Sequence, residues 1–268
     1  MPSPAAPEDH FELFSRQLYP YASVHLGPEG MLGGEARDLV AGFWRALGLA
    51  PPPEPDQLVT LLAFYAGLLE RAEAEPQGGR WAHAQKAFLW EHLLSWLPFY
   101  LDRVRVQGGA FFAAWADLLQ SLLLEAGAEL GPPAVAPLSL RRPPPGPGPE
   151  LEDGDLAPAL LAPALSGVII TRSDLARCAG ELELGLRQGG RAFILNSLFE
   201  QDWDRTLTWL EAEFVARERS YRGFHRSLSP VTGIWRRRAN AASAQLRVRL
   251  GAPPGARRAQ PREPRKRS

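Results

Sequence analysis

The chain has 268 residues, 45% of them apolar, with 30 basic and 30 acidic side chains; that is enough for a sizeable core in one or two domains. The neutral total hides an asymmetry, because residues 251–268 hold six basic side chains and one acid, which leaves 24 basic and 29 acidic side chains in residues 1–250. The single cysteine, Cys178, rules out an internal disulfide, MPSPAAPEDH lacks the regions of a secretory signal, and no run approaches the ~20 apolar residues that span a bilayer. A cytoplasmic protein without a membrane span is the expectation.

In chain order, residues 8–19 read as a short helix with Phe11, Phe14 and Leu18 on one side. YPYASVHLGPEGMLGG reads as a turn-rich connector, and residues 35–47 as a helix with Ala36, Val40, Phe43, Trp44 and Leu47 at helical spacing. PPPEPDQLVTLLAFYAGLLE follows, with Leu58, Leu61, Leu62, Tyr65, Leu68 and Leu69 on one face and Asp56 where an N-cap would stand. The pattern resumes from Trp81 to Trp96 and is broken or kinked by Pro98. A further helix carries Phe111, Phe112, Trp115, Leu118, Leu119, Leu122 and Leu123.

Composition then changes. Residues 131–165 contain proline clusters and few aromatics, and predict a flexible linker or insertion. Val168 to Ile170 predicts an extended lead-in to a helix capped by Thr171 or Ser173. Helices are expected over 190–200, 203–224 and about 230–249, and a disordered basic tail over 251–268. The fold class is all-α. The expectation is a single globular bundle of about eight or nine helices, formed by 1–130 and 166–250 around the proline-rich insertion.

No pattern in the chain carries catalysis. His10, His25, His83, His92 and His225 form no ligand pair, and Cys178 has no CxxC partner, so no metal or cofactor is expected. GPEGMLGG follows no predicted strand, which argues against a phosphate-cradling loop. Arg236, Arg237 and Arg238 spread around a helix rather than forming a stripe, so no specific nucleic-acid binding is expected. Trp90 and Trp209 lie off the main apolar stripe of their helices, and either pack against a neighbouring segment or line a groove.

Three stretches in this order carry a resemblance. YASVHLGPEGMLGGEARDLV, GLAPPPEPDQLVTLLAFYAGLL and FLWEHLLSWLPFYLDRV resemble the TorD family of redox-enzyme maturation chaperones, which includes DmsD and NarJ relatives. The matching positions are Tyr21, Ser23, Val24 and Leu26, then Pro55 and Asp56, then Phe88, His92, Leu93, Trp96 and Pro98. Ala22 stands in place of an acid, His25 in place of a tyrosine, and Gln57 in place of the histidine of Pro-Asp-His. The resemblance covers roughly residues 10–130 and 165–250.

It implies binding without catalysis, with two partners: a molybdoenzyme catalytic subunit and its twin-arginine signal peptide. Such a peptide needs an apolar trough with acids at one end. Tyr65, Trp90 and Trp96 are expected to help form the trough, and Glu54, Asp56 and Glu91 to meet the arginines. Tyr21, Ser23, Pro55, Gln57 and His92 belong to the same expected peptide-binding surface. Asp56 thus has two readings, helix cap and recognition residue. The rival functions are a helical scaffold for a folded redox subunit and a helical metal-dependent enzyme. A monomer and a dimer that exchanges C-terminal helices both remain open.

Overall fold

A computed structural model describes residues 3–75, 79–142 and 151–251. All regular elements among them are helical, and the one β-type pairing is an isolated antiparallel bridge between Tyr21 and Gln57. The helices are α1 (Pro7–Phe11, continued by a π-helical turn over Glu12–Gln17), α2 (Ala22–Leu26), α3 (Gly34–Ala46), α4 (Leu58–Ala74) and α5 (Arg80–Phe88, continued by a π-helical turn over Leu89–Leu93). Next come α6 (Leu97–Gln107), α7 (Gly109–Leu130), α8 (Leu138–Arg141), α9 (Asp153–Leu161), α10 (Pro163–Ser166), α11 (Arg172–Glu181) and α12 (Arg191–Gln201). α13 (Trp203–Tyr221) and α14 (Ser229–Gly251) complete the set, joined by a 3-10 turn over Arg226–Leu228. No helix of the described residues is long and apolar enough to cross a membrane.

The all-α expectation holds, although the described residues form fourteen α-helices rather than eight or nine. The additional ones are chiefly α2, α8, α9 and α10, which are too short to display an apolar face by periodicity. Pro98 occupies the first turn of α6, where its missing N–H costs nothing, and the chain breaks just before it. Thr171 rather than Ser173 caps α11. Its Oγ1 accepts the Asp174 N–H at 3.2 Å, and the Asp174 carboxylate accepts the Thr171 N–H at 2.9 Å.

The linker reading of 131–165 is corrected where the structure describes it. Leu156 and Leu160 of α9 are fully buried, as are Ala164 of α10 and the following Val168 and Ile170. Leu156, Leu160 and Leu161 of DLAPALLAPAL have an apolar cluster to enter, and that burial outweighs the proline content. Residues 143–150 and the tail beyond 251 lie outside the described residues.

Two apolar clusters result. The first surrounds Leu61, Phe88, Trp96, Phe99 and Tyr100; the second surrounds Leu160, Leu175, Leu195, Leu207 and Phe214. α14 belongs to both, giving Val231 and Trp235 to the first and Ala239, Ala242 and Leu246 to the second. Trp235 stacks on Phe99 with ring centres 4.1 Å apart, and its Nε1 donates to the Ser95 carbonyl at 2.9 Å. Gly167 has a left-handed φ of 69°, and a side chain there would collide with the Trp235 carbonyl and the Ala239 amide. Two of the arginine run bond within the protein: Arg236 donates to Glu218 at 2.8 Å, and buried Arg238 donates to the Leu140 carbonyl at 2.6 Å, while Arg237 is exposed.

A buried ion pair crosses between the two halves. Arg103 Nη2 of α6 lies 2.8 and 2.9 Å from the two Asp174 oxygens of α11, and Arg217 approaches the same carboxylate at 3.3 Å. Burial lowers the Arg103 pKa, against the opposing pull of Asp174. The Asp174→Ala variant loses its half of the α11 capping box and strands a buried guanidinium. Urea denaturation is expected to show about 3–5 kcal/mol less stability than wild type; a loss under about 1 kcal/mol would contradict this placement.

Candidate functional site

The first two motifs meet as a crossing of residues 20–24 with residues 54–58. The short helix α2 begins here, and its leading N–H groups need acceptors from elsewhere in the chain. Asp56 provides two: its main-chain oxygen accepts the Ala22 N–H at 2.9 Å, and its carboxylate Oδ2 accepts the Ser23 N–H at 3.1 Å. The Leu58 N–H returns a bond to the Pro20 carbonyl at 2.8 Å. Asp56 is therefore a helix cap, but for α2 rather than for the helix that follows it. Gln57 caps α4, its Oε1 accepting the Val59 and Thr60 N–H groups at 2.8 and 3.2 Å. The amide that replaces histidine in the second motif thus has a structural task that needs no charge.

Asp56 is only 2% exposed, so its carboxylate is committed to α2 and does not face a ligand. Pro55 and Ser23 are also buried, and Ser23 Oγ accepts the Gly33 N–H at 3.1 Å. The accessible part of the crossing is Tyr21, Gln57 and Glu54, with the Tyr21 hydroxyl donating to Glu54 Oε1 at 3.2 Å. Partial burial, and then the Glu54 carboxylate, raise the pKa of that hydroxyl.

Tyr65, Trp90, His92 and Trp96 are not part of this surface. Trp96 is fully buried, stacks on His25 at 4.9 Å and donates to the His92 carbonyl at 2.8 Å. Trp90 is 2% exposed and donates to the Gly131 carbonyl at 3.0 Å. His92 sits between the Phe43 and Phe88 rings, 5.3 and 5.1 Å away, and Tyr65 is buried beside them in the same core. The expected trough of Tyr65, Trp90 and Trp96 is filled by the protein's own side chains. Glu91 is likewise engaged, accepting the Leu138 N–H at 2.7 Å, and burial raises its pKa. Trp90 looks peripheral at α-helical spacing, but the π-helical turn over Leu89–Leu93 adds residues to that turn and rotates it inward. Trp209 is covered by Arg177, 4.7 Å above its ring, and donates to Glu181 at 2.6 Å.

An open apolar groove lies instead on the outer side of α4. It has a volume of about 560 Å³ and runs between that helix and the α3 end with its following loop, lined by Trp44, Leu49, Pro52, Val59, Thr60, Ala63, Phe64 and Gly67. Val59, Ala63 and Gly67 recur every fourth residue, so one strip of the helix tapers from valine to no side chain and leaves a channel. Trp44 stacks on Phe64 at 3.8 Å to form the floor, and its indole Nε1 has no acceptor. Pro52 and Val59 line one end, Pro52 two residues before Glu54 in the chain, while Glu70 and Arg71 line the other. The spacing of small residues off the main stripe of α4 was the available sequence signal for this groove.

Among the described residues no group of three or more His, Cys, Asp or Glu side chains could hold a metal ion. Cys178 is buried, and burial pushes its thiol up to about 12.

Comparison with known proteins bears on the same half of the chain. Residues 5–101 match the family model described as nitrate reductase delta subunit. Two curated relatives, each named chaperone protein TorD, from Vibrio vulnificus strains YJ016 and CMCP6, are 34% identical over 91 residues. Each match takes in 31% of this chain and 42% of the relative, so the chain spans less than half the length of these proteins. No solved structure matches. The TorD-like resemblance read from the three motifs is upheld over this N-terminal part, which contains the crossing and the groove.

Two outcomes follow from the geometry. The Asp56→Ala variant is expected to lose about 1–3 kcal/mol of stability, while Asp56→Asn keeps most of it because the amide oxygen can accept the same Ser23 N–H; equal losses in thermal melts would contradict the cap. Burial holds His25 down to about 3 and His92 down to about 4. Unfolded histidine protonates near 6.5, so the unfolded chain binds more protons in this window. Stability is fully present above about pH 6.5 and falls as the pH drops toward 4, by on the order of 5 kcal/mol from these two groups at pH 4.5. The His92→Phe variant should recover close to half of that loss in paired urea titrations at pH 7 and 4.5.

Proposed function

Taking the chain as TorD-like over residues 5–101, we propose that it is a cytoplasmic, non-enzymatic chaperone for a molybdenum-containing oxidoreductase. It binds the enzyme's twin-arginine signal peptide, holds back export, and assists folding and cofactor insertion. The groove along α4 supports this reading most directly. The ligand is a flexible peptide with a cationic start and an apolar middle. An apolar channel with an exposed acid close in sequence to one end matches that order of chemistry. The apolar middle lies along Val59, Ala63 and Gly67 over the Trp44 floor, and the arginines lie toward exposed Glu54, two residues after the lining Pro52. The excess of acids in residues 1–250, 29 against 24 basic side chains, favours approach of a cationic segment.

Ordering a flexible peptide carries an entropy cost, so the affinity expected is moderate. A micromolar dissociation constant, about −8 kcal/mol, suits a chaperone that must release its client. Calorimetric titration of the full chain with a synthetic twin-arginine leader should give a constant of about that order. The Ala63→Glu variant should weaken it by about tenfold or more without changing the melting temperature, since an unpaired charge would enter the apolar contact. Glu54→Gln should weaken it less and flatten its salt dependence. No binding at high micromolar peptide would remove this function and favour a scaffold for a folded redox subunit.

A further inference from the structure

Gly131, at a left-handed φ of 70°, turns the chain out of α7 into an irregular segment that ends in the single turn of α8. Three side chains from elsewhere in the fold hold this segment by its main chain. Trp90 Nε1 donates to the Gly131 carbonyl at 3.0 Å, Glu91 Oε2 accepts the Leu138 N–H at 2.7 Å, and Arg238 Nη2 donates to the Leu140 carbonyl at 2.6 Å. Trp90 and Glu91 are neighbours in the π-helical turn over Leu89–Leu93. Such turns are rare inside helices, and this one aims two consecutive residues at one segment.

The segment's own side chains fill this seat poorly. Pro137, Ser139 and Leu140 are buried, and Leu140 joins the first apolar cluster. Ser139 Oγ is enclosed without a hydrogen-bond partner. Beside it a cavity of about 180 Å³ remains between α8 and the α2–α3 region, lined by Leu26, Pro28, Ala36 and Leu39. The Glu35–Arg142 ion pair lines the same cavity. An orphaned hydroxyl in an apolar cavity costs free energy that an aliphatic side chain there would not.

Where a protein reads a peptide segment, main-chain bonds supply affinity and side-chain pockets supply specificity. We propose that this seat is a second peptide-binding site, occupied in cis by residues 131–142. It takes a segment of a partner protein that carries leucine or another large apolar residue where this chain has Ser139, and a basic residue three positions on to meet Glu35. Such a segment makes the same three main-chain bonds, fills the cavity and leaves no orphaned hydroxyl. The tethered resident competes at an effective concentration of about millimolar, so a partner segment displaces it only by fitting better. An apolar residue followed by a basic one reverses the order of the leader, and the seat shares no lining residue with the α4 groove.

The test uses fluorescence anisotropy with the full chain and a labelled synthetic peptide of residues 131–142 carrying Ser139→Leu. The unaltered peptide serves as control. The leucine-bearing peptide should bind about tenfold or more tighter than the control. Arg142→Glu in that peptide should weaken binding several-fold, by setting two acids together. Within the full chain, Ser139→Leu fills the cavity from inside, and should raise the melting temperature and weaken binding of the leucine-bearing peptide by about tenfold or more. Leu140→Ala loosens the resident segment and should strengthen that binding several-fold. Both positions belong to the resident and not to its seat, so opposite shifts report competition. Leader-peptide affinity should be the same in wild type and both variants, so either site can fail without the other. No binding of the leucine-bearing peptide to wild type at high micromolar concentration would overturn the proposal. Equal binding of the two peptides, or undiminished binding by the Ser139→Leu chain, would do the same.

Discussion

The carboxylate of Asp56 at the head of α2 is the constraint from which the N-terminal architecture follows. A five-residue helix cannot sustain itself, because nearly all of its N–H groups lie in the first turn. Asp56 satisfies one with its side chain and another with its main chain, inside the protein and beside the positive end of the helix. A hydrogen bond to a charged acceptor contributes about 1.5–3 kcal/mol, more than an exposed cap would. The bond also fixes position. With Asp56 tied to Ser23, Gln57 is left to start α4, and Tyr21 is brought to Glu54. The near end of the α4 groove is therefore set by a residue that does not line it.

The C-terminal half is tied to this arrangement by α14. Its first turns carry Trp235 onto Phe99 and Ser95, and its later turns pack small residues against α10 and α13. Gly167 lets the chain pass close against it. The Arg103–Asp174 pair adds orientation rather than much net stability, since desolvation of both charges offsets most of their attraction. The second cluster thus stands behind the groove-bearing half and supports it without supplying any of its lining.

The long helices were legible because their apolar residues recur over three or more turns. The helices α2, α8, α9 and α10 were not, since four to nine residues show no period and proline in α9 and α10 points the wrong way. Asp56 was legible as a cap, yet its partner was not. A cap's side chain ordinarily bonds two or three residues ahead, whereas this one bonds a segment thirty-three residues earlier. Trp90 was misplaced because α-helical spacing does not anticipate a π-helical turn. Trp96 and Tyr65, on the main stripes of their helices, are core, as such positions usually are. The groove was missed for the converse reason: Val59, Ala63 and Gly67 mark a surface by how little they fill, and large residues draw the eye first.

The functional account rests on one physical claim, that the leader's apolar segment lies in the channel over Trp44 and Phe64 rather than among the buried tryptophans. Hydrogen–deuterium exchange of the full chain, with and without saturating leader peptide, addresses it directly. The account predicts slowed exchange in segments spanning residues 44–71, with residues 89–96 already protected and unchanged. Unaltered exchange across 44–71, with new protection in another helix of a peptide-bound chain, would contradict it.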